Sequence, residues 1–360
     1  MIDTVAEHIA ALKDEDWAVR EDAATALGLS RDTRAVVPLV ALLKDSDRAV
    51  REAAMAALTA IGEASVMVLS ACLQDSDLSV QESAAAILAK IADARVVDPL
   101  LAVLNSPSWI VRMHTARALG QIGDASVVKP LVLLLQDTVK AVRTDTGEAL
   151  ARIGAAAVPI LLESLKHEEW LVRLHAVEAL GKIRSPDAVE PLLYVLFNDR
   201  DAAVREDAAR SLGEIGDSRA VEFLMTAMAE PGLRPLAIEA LGRIGDRRAV
   251  PALISVVNGT SQPVDSRPLH GCGDRWDQEM FAMEAAVKAL AQIRDESAIP
   301  TLVAALQNTV VRAEAAAALA AFGTRAIPFL LEVLKKERDE NILFYAKDAL
   351  TQVGWRPGRI

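Results

Sequence analysis

Four residues about thirty positions apart, His114, Asp145, His175 and Asp207, alternate imidazole with carboxylate. On facing helices such an alternation suits iron or zinc, or a proton relay. A second group, His270, Cys272 and Asp274, alternates within five residues, with Trp276 close behind. One short cluster lacks the second ligand pair that a zinc site requires. A Cys near a His also lacks the third group that would orient a base. The sequence therefore assigns no catalytic residue, no metal and no cofactor, and ion networks of structural origin give the same residue patterns.

Position in a repeat decides what these residues can do. The pair Val-Arg recurs at Val19-Arg20, Val50-Arg51, Val111-Arg112, Val142-Arg143, Val172-Arg173, Val204-Arg205 and Val311-Arg312, with variants at Val80-Gln81, Leu233-Arg234, Ala282-Met283 and Ile342-Leu343. Successive spacings are 31, 30, 31, 31, 30, 32, 29, 49, 29 and 31. A period held across a whole chain marks stacked supersecondary units, none of which buries its apolar face alone.

Each unit reads as two helices. Helix A has the pattern of Ala35-Val36-Val37-Pro38-Leu39-Val40-Ala41-Leu42-Leu43, with a proline near its start, where a missing N–H has no intrahelical partner. Helix B reads like Val204–Ile215, where Val204, Ala208, Ser211, Leu212 and Ile215 form one buried stripe at helical spacing. Asp16, Asp47 and Asp77 precede B helices and suit N-capping. Gly62, Gly123, Gly154, Gly216, Gly245, Gly323 and Gly354 follow B helices, where a left-handed residue ends the helix. The recurring Arg is expected to build a ladder to nearby Asp side chains and helix ends. Apolar residues make up 52% of the chain but aromatics only 4%, which favours close-packed helices over strands.

The unit Pro-Leu-x-x-x-Leu followed by Val-Arg-x-x-Ala-x-x-Ala-Leu-Gly-x-Ile-Gly-Asp resembles the short HEAT repeats named after phycobilisome lyases. It is nearly complete at Val111–Asp124 and Val204–Asp217. The resemblance covers almost the whole chain. It implies an all-α fold, an α-solenoid forming a right-handed superhelix of about eleven two-helix HEAT repeats over residues 1–360. The 49-residue spacing adds an insertion, expected as a loop over 259–278 that carries His270, Cys272, Asp274 and Trp276.

In this architecture helix B normally lines the concave face. Three columns then face a groove, at three, six and ten residues after each Val. In the central repeats they hold His114, Arg117, Asp145, Glu148, Arg152, His175, Glu178, Lys182, Asp207, Arg210, Glu239 and Arg243, a polar patch of mixed sign. These residues are the expected partner-binding groove. Trp17, Trp109 and Trp170, each two residues before a Val-Arg pair, share one edge. Tryptophan there suits either an interface hot spot or packing over the A–B turn.

Resemblance also implies alternatives. If the chain acts like a phycobilin lyase, or an accessory subunit acting on a protein-attached group, Arg117, Arg152, Arg210 and Arg243 would pair with tetrapyrrole propionates. The repeat also invites comparison with deoxyhypusine hydroxylase, a HEAT-repeat enzyme whose diiron site uses adjacent His-Glu pairs, but the match fails residue by residue. Where that enzyme has Arg-His-Glu, this chain has Arg173-Leu174-His175, so a metal-dependent hydroxylase would need a different ligand set.

Net charge is −11 and the pI about 5.1, which argues against a nucleic-acid partner. No uncharged apolar run reaches the roughly 18 residues of a membrane span. Met1-Ile2-Asp3-Thr4 lacks the basic start of a signal peptide. Two cysteines make no disulfide framework. The expected protein is cytoplasmic, binds neither nucleic acid nor membrane, and is a scaffold or adaptor for a protein or peptide partner.

Overall fold

The structure, a computed structural model, describes residues 3–259 and 272–356. Among these residues all regular elements are helical: twenty-two α-helices, two per repeat, form the eleven expected A–B pairs. The chain is an all-α solenoid of such pairs. It divides into two compact units, Met1–Ala179 and Leu180–Ile360.

In the first unit the B helices Trp17–Ser30, Arg48–Ile61, Leu78–Ile91, Trp109–Ile122 and Lys140–Ile153 each run fourteen residues. The first three starts are fixed by the expected caps. The carboxylates of Asp16, Asp47 and Asp77 accept from the N–H groups of Ala18, Ala49 and Ser79 at 2.9, 2.8 and 2.9 Å. Their ends are fixed by backbone handedness. Gly123 takes φ +75° after Ile122, as its missing Cβ allows. Ala92 occupies the same place at φ +55°, where no glycine marks the stop.

Most A helices are shorter than their sequence pattern. The expected helix over 35–43 resolves into a 3-10 turn Thr33–Ala35, an α-helix Val36–Ala41 and a 3-10 turn Leu42–Lys44. Pro38 falls in the first α turn, so it leaves no intrahelical bond unmade. Asp32 caps the opening turn through the N–H of Arg34 at 2.9 Å. The apolar stretch Arg48–Cys72 is long enough for a membrane span by length and composition alone. It is two helices, Arg48–Ile61 and Val66–Cys72, separated at Gly62, whose φ is +72°.

The core is leucine, valine and alanine. Leu27, Leu58, Leu88, Leu119 and Leu150, one per B helix, are fully buried. Successive B helices come close because the glycine nine residues after the repeat's Val removes a side chain. A Cβ on Gly28 would lie 2.9 Å from the Cβ of Ala57, and one on Gly120 would lie 2.4 Å from that of Ala149. In the second unit Gly181, Gly213 and Gly242 face Ser211, Ala240 and Ala289 in the same way. Of the stripe expected on Ala202–Ile215, Val204, Ala208, Ser211 and Leu212 are buried and Ile215 is partly exposed.

The insertion differs from expectation at its C-terminal end. Cys272, Asp274 and Trp276 lie in a helix, Cys272–Ile293, that begins seven residues before the expected Glu279. Residues Asp274 to Gln278 contain neither glycine nor proline, so nothing in them stops a helix from extending toward its N-terminus. His270 lies outside the described residues.

Candidate partner-binding face

The recurring arginine is structural, as its register suggested. Arg112 donates from Nε and Nη2 to the Asp137 carboxylate at 2.6 and 2.9 Å, a bidentate pair reaching into the next repeat. Its Nη1 donates to the Ser106 carbonyl at 2.8 Å, closing the turn of its own repeat. Arg20 does the same with Asp45, at 2.8 Å from each nitrogen, and with the carbonyls of Asp14 and Glu15. Burial pushes the Asp137 carboxyl up, but Arg112 and the Val139 N–H outweigh it and hold the group below the usual carboxylate range.

A second ladder, Asp-x-Arg at the start of A helices, escaped the sequence reading. In Asp93-x-Arg95, Asp217-x-Arg219 and Asp246-x-Arg248 the carboxylate caps the turn and pairs with the arginine. The same arginine reaches back to the previous repeat: Arg219 to the Pro186 carbonyl and Arg248 to the Ser218 carbonyl, both at 2.8 Å. The Arg95 guanidinium holds the Asp93 carboxyl down to about 2. The recurring Asp-x-Arg spacing carried this signal.

The three columns of the B helices divide by depth. In the first unit Glu148 and Arg152 are exposed, and Arg117 is partly so. Arg117 Nη2 donates to the Asp145 carboxylate of the next B helix at 2.7 Å. His114 is half-buried, and its Nδ1 is buried with no hydrogen-bond partner. Burial first, then the Arg117 cation, push the His114 imidazole below its ordinary value; Asp145 and Glu82 pull it back only in part. His175 is only 6% exposed. Its Nδ1 lies 2.7 Å from the Glu178 carboxylate, and its Nε2 has no partner.

In the second unit Lys182, Arg210, Glu239 and Arg243 are exposed, while Asp207 is buried and paired with Arg210 one turn along. Glu239 and Arg243 stand 3.9 Å apart. Sequence reasoning missed Phe281, which is 55% exposed. With Pro235, Glu239, Glu284, Ala285 and Lys288 it lines a cleft of about 450 Å³ between the helices Arg234–Ile244 and Cys272–Ile293.

So the alternating His and Asp column belongs mostly to the edge of the core. A residue three after the Val lies about 60° round the helix from it, and a residue six after lies about 120° round. The first position is turned toward the neighbouring helix and the second toward water. Asp145 is taken by Arg117, His175 by Glu178 and Asp207 by Arg210. Among the described residues no group of three or more His, Cys, Asp and Glu side chains converges as metal ligands must. The side chains of Cys272, Asp274 and Trp276 lie outside what is described.

Paired A and B helices, a glycine-spaced B layer and a recurring arginine ladder define a helical-repeat solenoid. The family profile for HEAT repeats matches residues 5–79, 66–151, 128–196, 189–267 and 282–351. The chain belongs to the HEAT-repeat family. No curated protein matches it. Among solved structures it is similar to Kap95p with RanGDP, with 16% identity, a TM-score of 0.65, and coverage of 96% of this chain and 57% of that one. It is similar also to the Kap95:Nup1 complex, with 16% identity, a TM-score of 0.66, and coverage of 97% and 57%. A third likeness is to karyopherin Kap121p bound to the extreme C-terminus of the protein phosphatase Cdc14p, with 13% identity, a TM-score of 0.65, and coverage of 97% and 45%. At these identities the likeness shows the fold alone, and the chain spans about half the length of the chains it matches.

Proposed function

We propose that this chain is a protein-binding scaffold that uses the exposed face of its B helices. One observation carries the reading. Glu148, Arg152, Lys182, Arg210, Glu239 and Arg243 are exposed on helices whose opposite faces are buried in the core. Charges of both signs on the B helices of each unit select a partner by electrostatic pattern. Phe281 adds an exposed aromatic of the kind that anchors interfaces. The solenoids of like fold, Kap95p and Kap121p, are each solved with a protein partner, which supports the same class of use here. The Val111–Asp124 unit favours the short phycobilisome-lyase-like subtype of repeat.

The test is affinity capture from native extract with wild type beside an Arg152→Glu/Lys182→Glu variant, with mass spectrometry of the retained proteins. Both residues are exposed, so the variant folds normally. A protein retained by wild type and lost by the variant supports the reading. Identical retention by both baits removes this face as the binding surface.

A further inference from the structure

The chain has five asparagines, Asn105, Asn198, Asn258, Asn308 and Asn341. An asparagine reacts with its own backbone when the next residue's nitrogen reaches the side-chain carbonyl carbon. The attack closes a five-membered imide, and a Cβ on that next residue obstructs it. The residues that follow the five are Ser106, Asp199, Gly259, Thr309 and Ile342, so the path is unobstructed only after Asn258.

The structure sorts the same five by how firmly each is held. Asn198 Nδ2 donates to the Tyr194 carbonyl at 2.8 Å. Asn308 accepts the Val310 N–H at 2.9 Å and donates to Met283 Sδ at 3.1 Å. Asn341 is the second residue of the helix Glu340–Gln352, followed by the buried and β-branched Ile342. Asn105 is exposed, but Ser106 is buried and its N–H donates to the Val103 carbonyl at 3.0 Å. Asn258 caps the C-terminal end of the helix Val250–Val257, and both it and Gly259 are exposed. Among the described residues no hydrogen bond holds the Asn258 side chain. Gly259 takes φ +65°, and beyond its chain neighbours no atom lies within 4 Å of where a Cβ would stand. Its N–H donates to the Val256 carbonyl at 3.0 Å, a last-turn bond of the kind that frays first.

We propose that Asn258-Gly259 is a self-modifying site, at which the Gly259 nitrogen attacks the Asn258 side-chain amide. A bond forms between that nitrogen and Asn258 Cγ, and the Cγ–Nδ2 bond breaks. The Gly259 amide proton leaves with Nδ2 as ammonia. Water then opens the imide. Opening at Cγ leaves aspartate; opening at the Asn258 backbone carbonyl carbon leaves isoaspartate, with the main chain routed through the side chain. Neither step needs an oxidant, a metal or a second protein. Either product sets a carboxylate at the C-terminal end of a helix, the negative end of its dipole. Isoaspartate also lengthens the backbone by one carbon at the entry to the inserted segment.

The test is incubation of the full chain in mildly alkaline buffer, followed by peptide mapping with electron-transfer mass spectrometry, which tells aspartate from isoaspartate. Acid should accumulate at Asn258 about tenfold faster than at any of the other four asparagines. Isoaspartate should be among the products, and the rate should rise with pH as the amide nitrogen gives up its proton. Gly259→Ala should slow the step about tenfold, since its Cβ stands in the path. That variant also strains a residue at positive φ, so Asn258→Gln, which leaves the backbone as it is, serves beside it. Its larger ring closes slowly, and it should yield no acid at position 258 over the same period. Accumulation at Asn258 no faster than at Asn105 overturns the proposal. So does an aspartate product free of isoaspartate, since no imide would then have formed.

Discussion

Arg112 shows how one side chain serves two repeats. Its guanidinium ties its own A–B turn through the Ser106 carbonyl and the next repeat through Asp137. The side chains of the pair are 14% and 6% exposed, so losing the cation strands a carboxylate in a dry setting. Arg112→Ala should cost about 2–4 kcal/mol, and Arg112→Lys should recover little, because an ammonium cannot reproduce the fork. Chemical denaturation of the three proteins checks this. His114 carries a different signature. Burial and Arg117 hold its imidazole below the ordinary value of about 6.5. The unfolded chain therefore protonates first as pH falls, and stability declines below about pH 6.5. Melting temperature should drop less between pH 7.5 and 5.5 in His114→Gln than in wild type. Equal drops in the two proteins would assign the pH response to other groups.

At the scale of the helix, two buried glycines make opposite predictions. Gly120 sits where an added Cβ would meet Ala149 at 2.4 Å, whereas Gly147 has no atom within 4 Å of that position. Alanine is worth about 1 kcal/mol over glycine in a helix interior. Gly147→Ala should therefore stabilise by about 0.5–1 kcal/mol. Gly120→Ala should destabilise by about 1–3 kcal/mol, because two B helices must part. Ala92 offers a third case: at φ +55° its Cβ is strained, and Ala92→Gly should raise stability by about 1 kcal/mol. Thermal or urea unfolding decides all three. These cases also mark where the sequence was readable. The helix pairs, the Asp caps and the Gly stops each rest on chemistry within one turn, so their residues announce them. The left-handed Ala92 and the early start of the helix at Cys272 carry no local marker. The close-contact glycines are visible as a column, yet their reason lies in the neighbouring repeat.

Across the molecule, stability and binding draw on different residues. Repeats held by nearest-neighbour contacts leave the outer B-helix positions free to vary in charge without cost to the fold. The columns were legible in the sequence, but the depth of each position was not. His175 and Asp207 read as groove residues and prove to be buried, because the position three after the Val turns toward the adjoining helix. Phe281 was hidden by a degenerate copy of the repeat motif. The scaffold account is tested most directly by carboxyl and lysine footprinting of the chain, alone and with the partner captured by wild type. Protection concentrated at Glu148, Lys182 and Glu239 is the predicted result. Protection confined to A-helix residues such as Glu190, Glu222 and Glu332, with those three labelled as before, would contradict it.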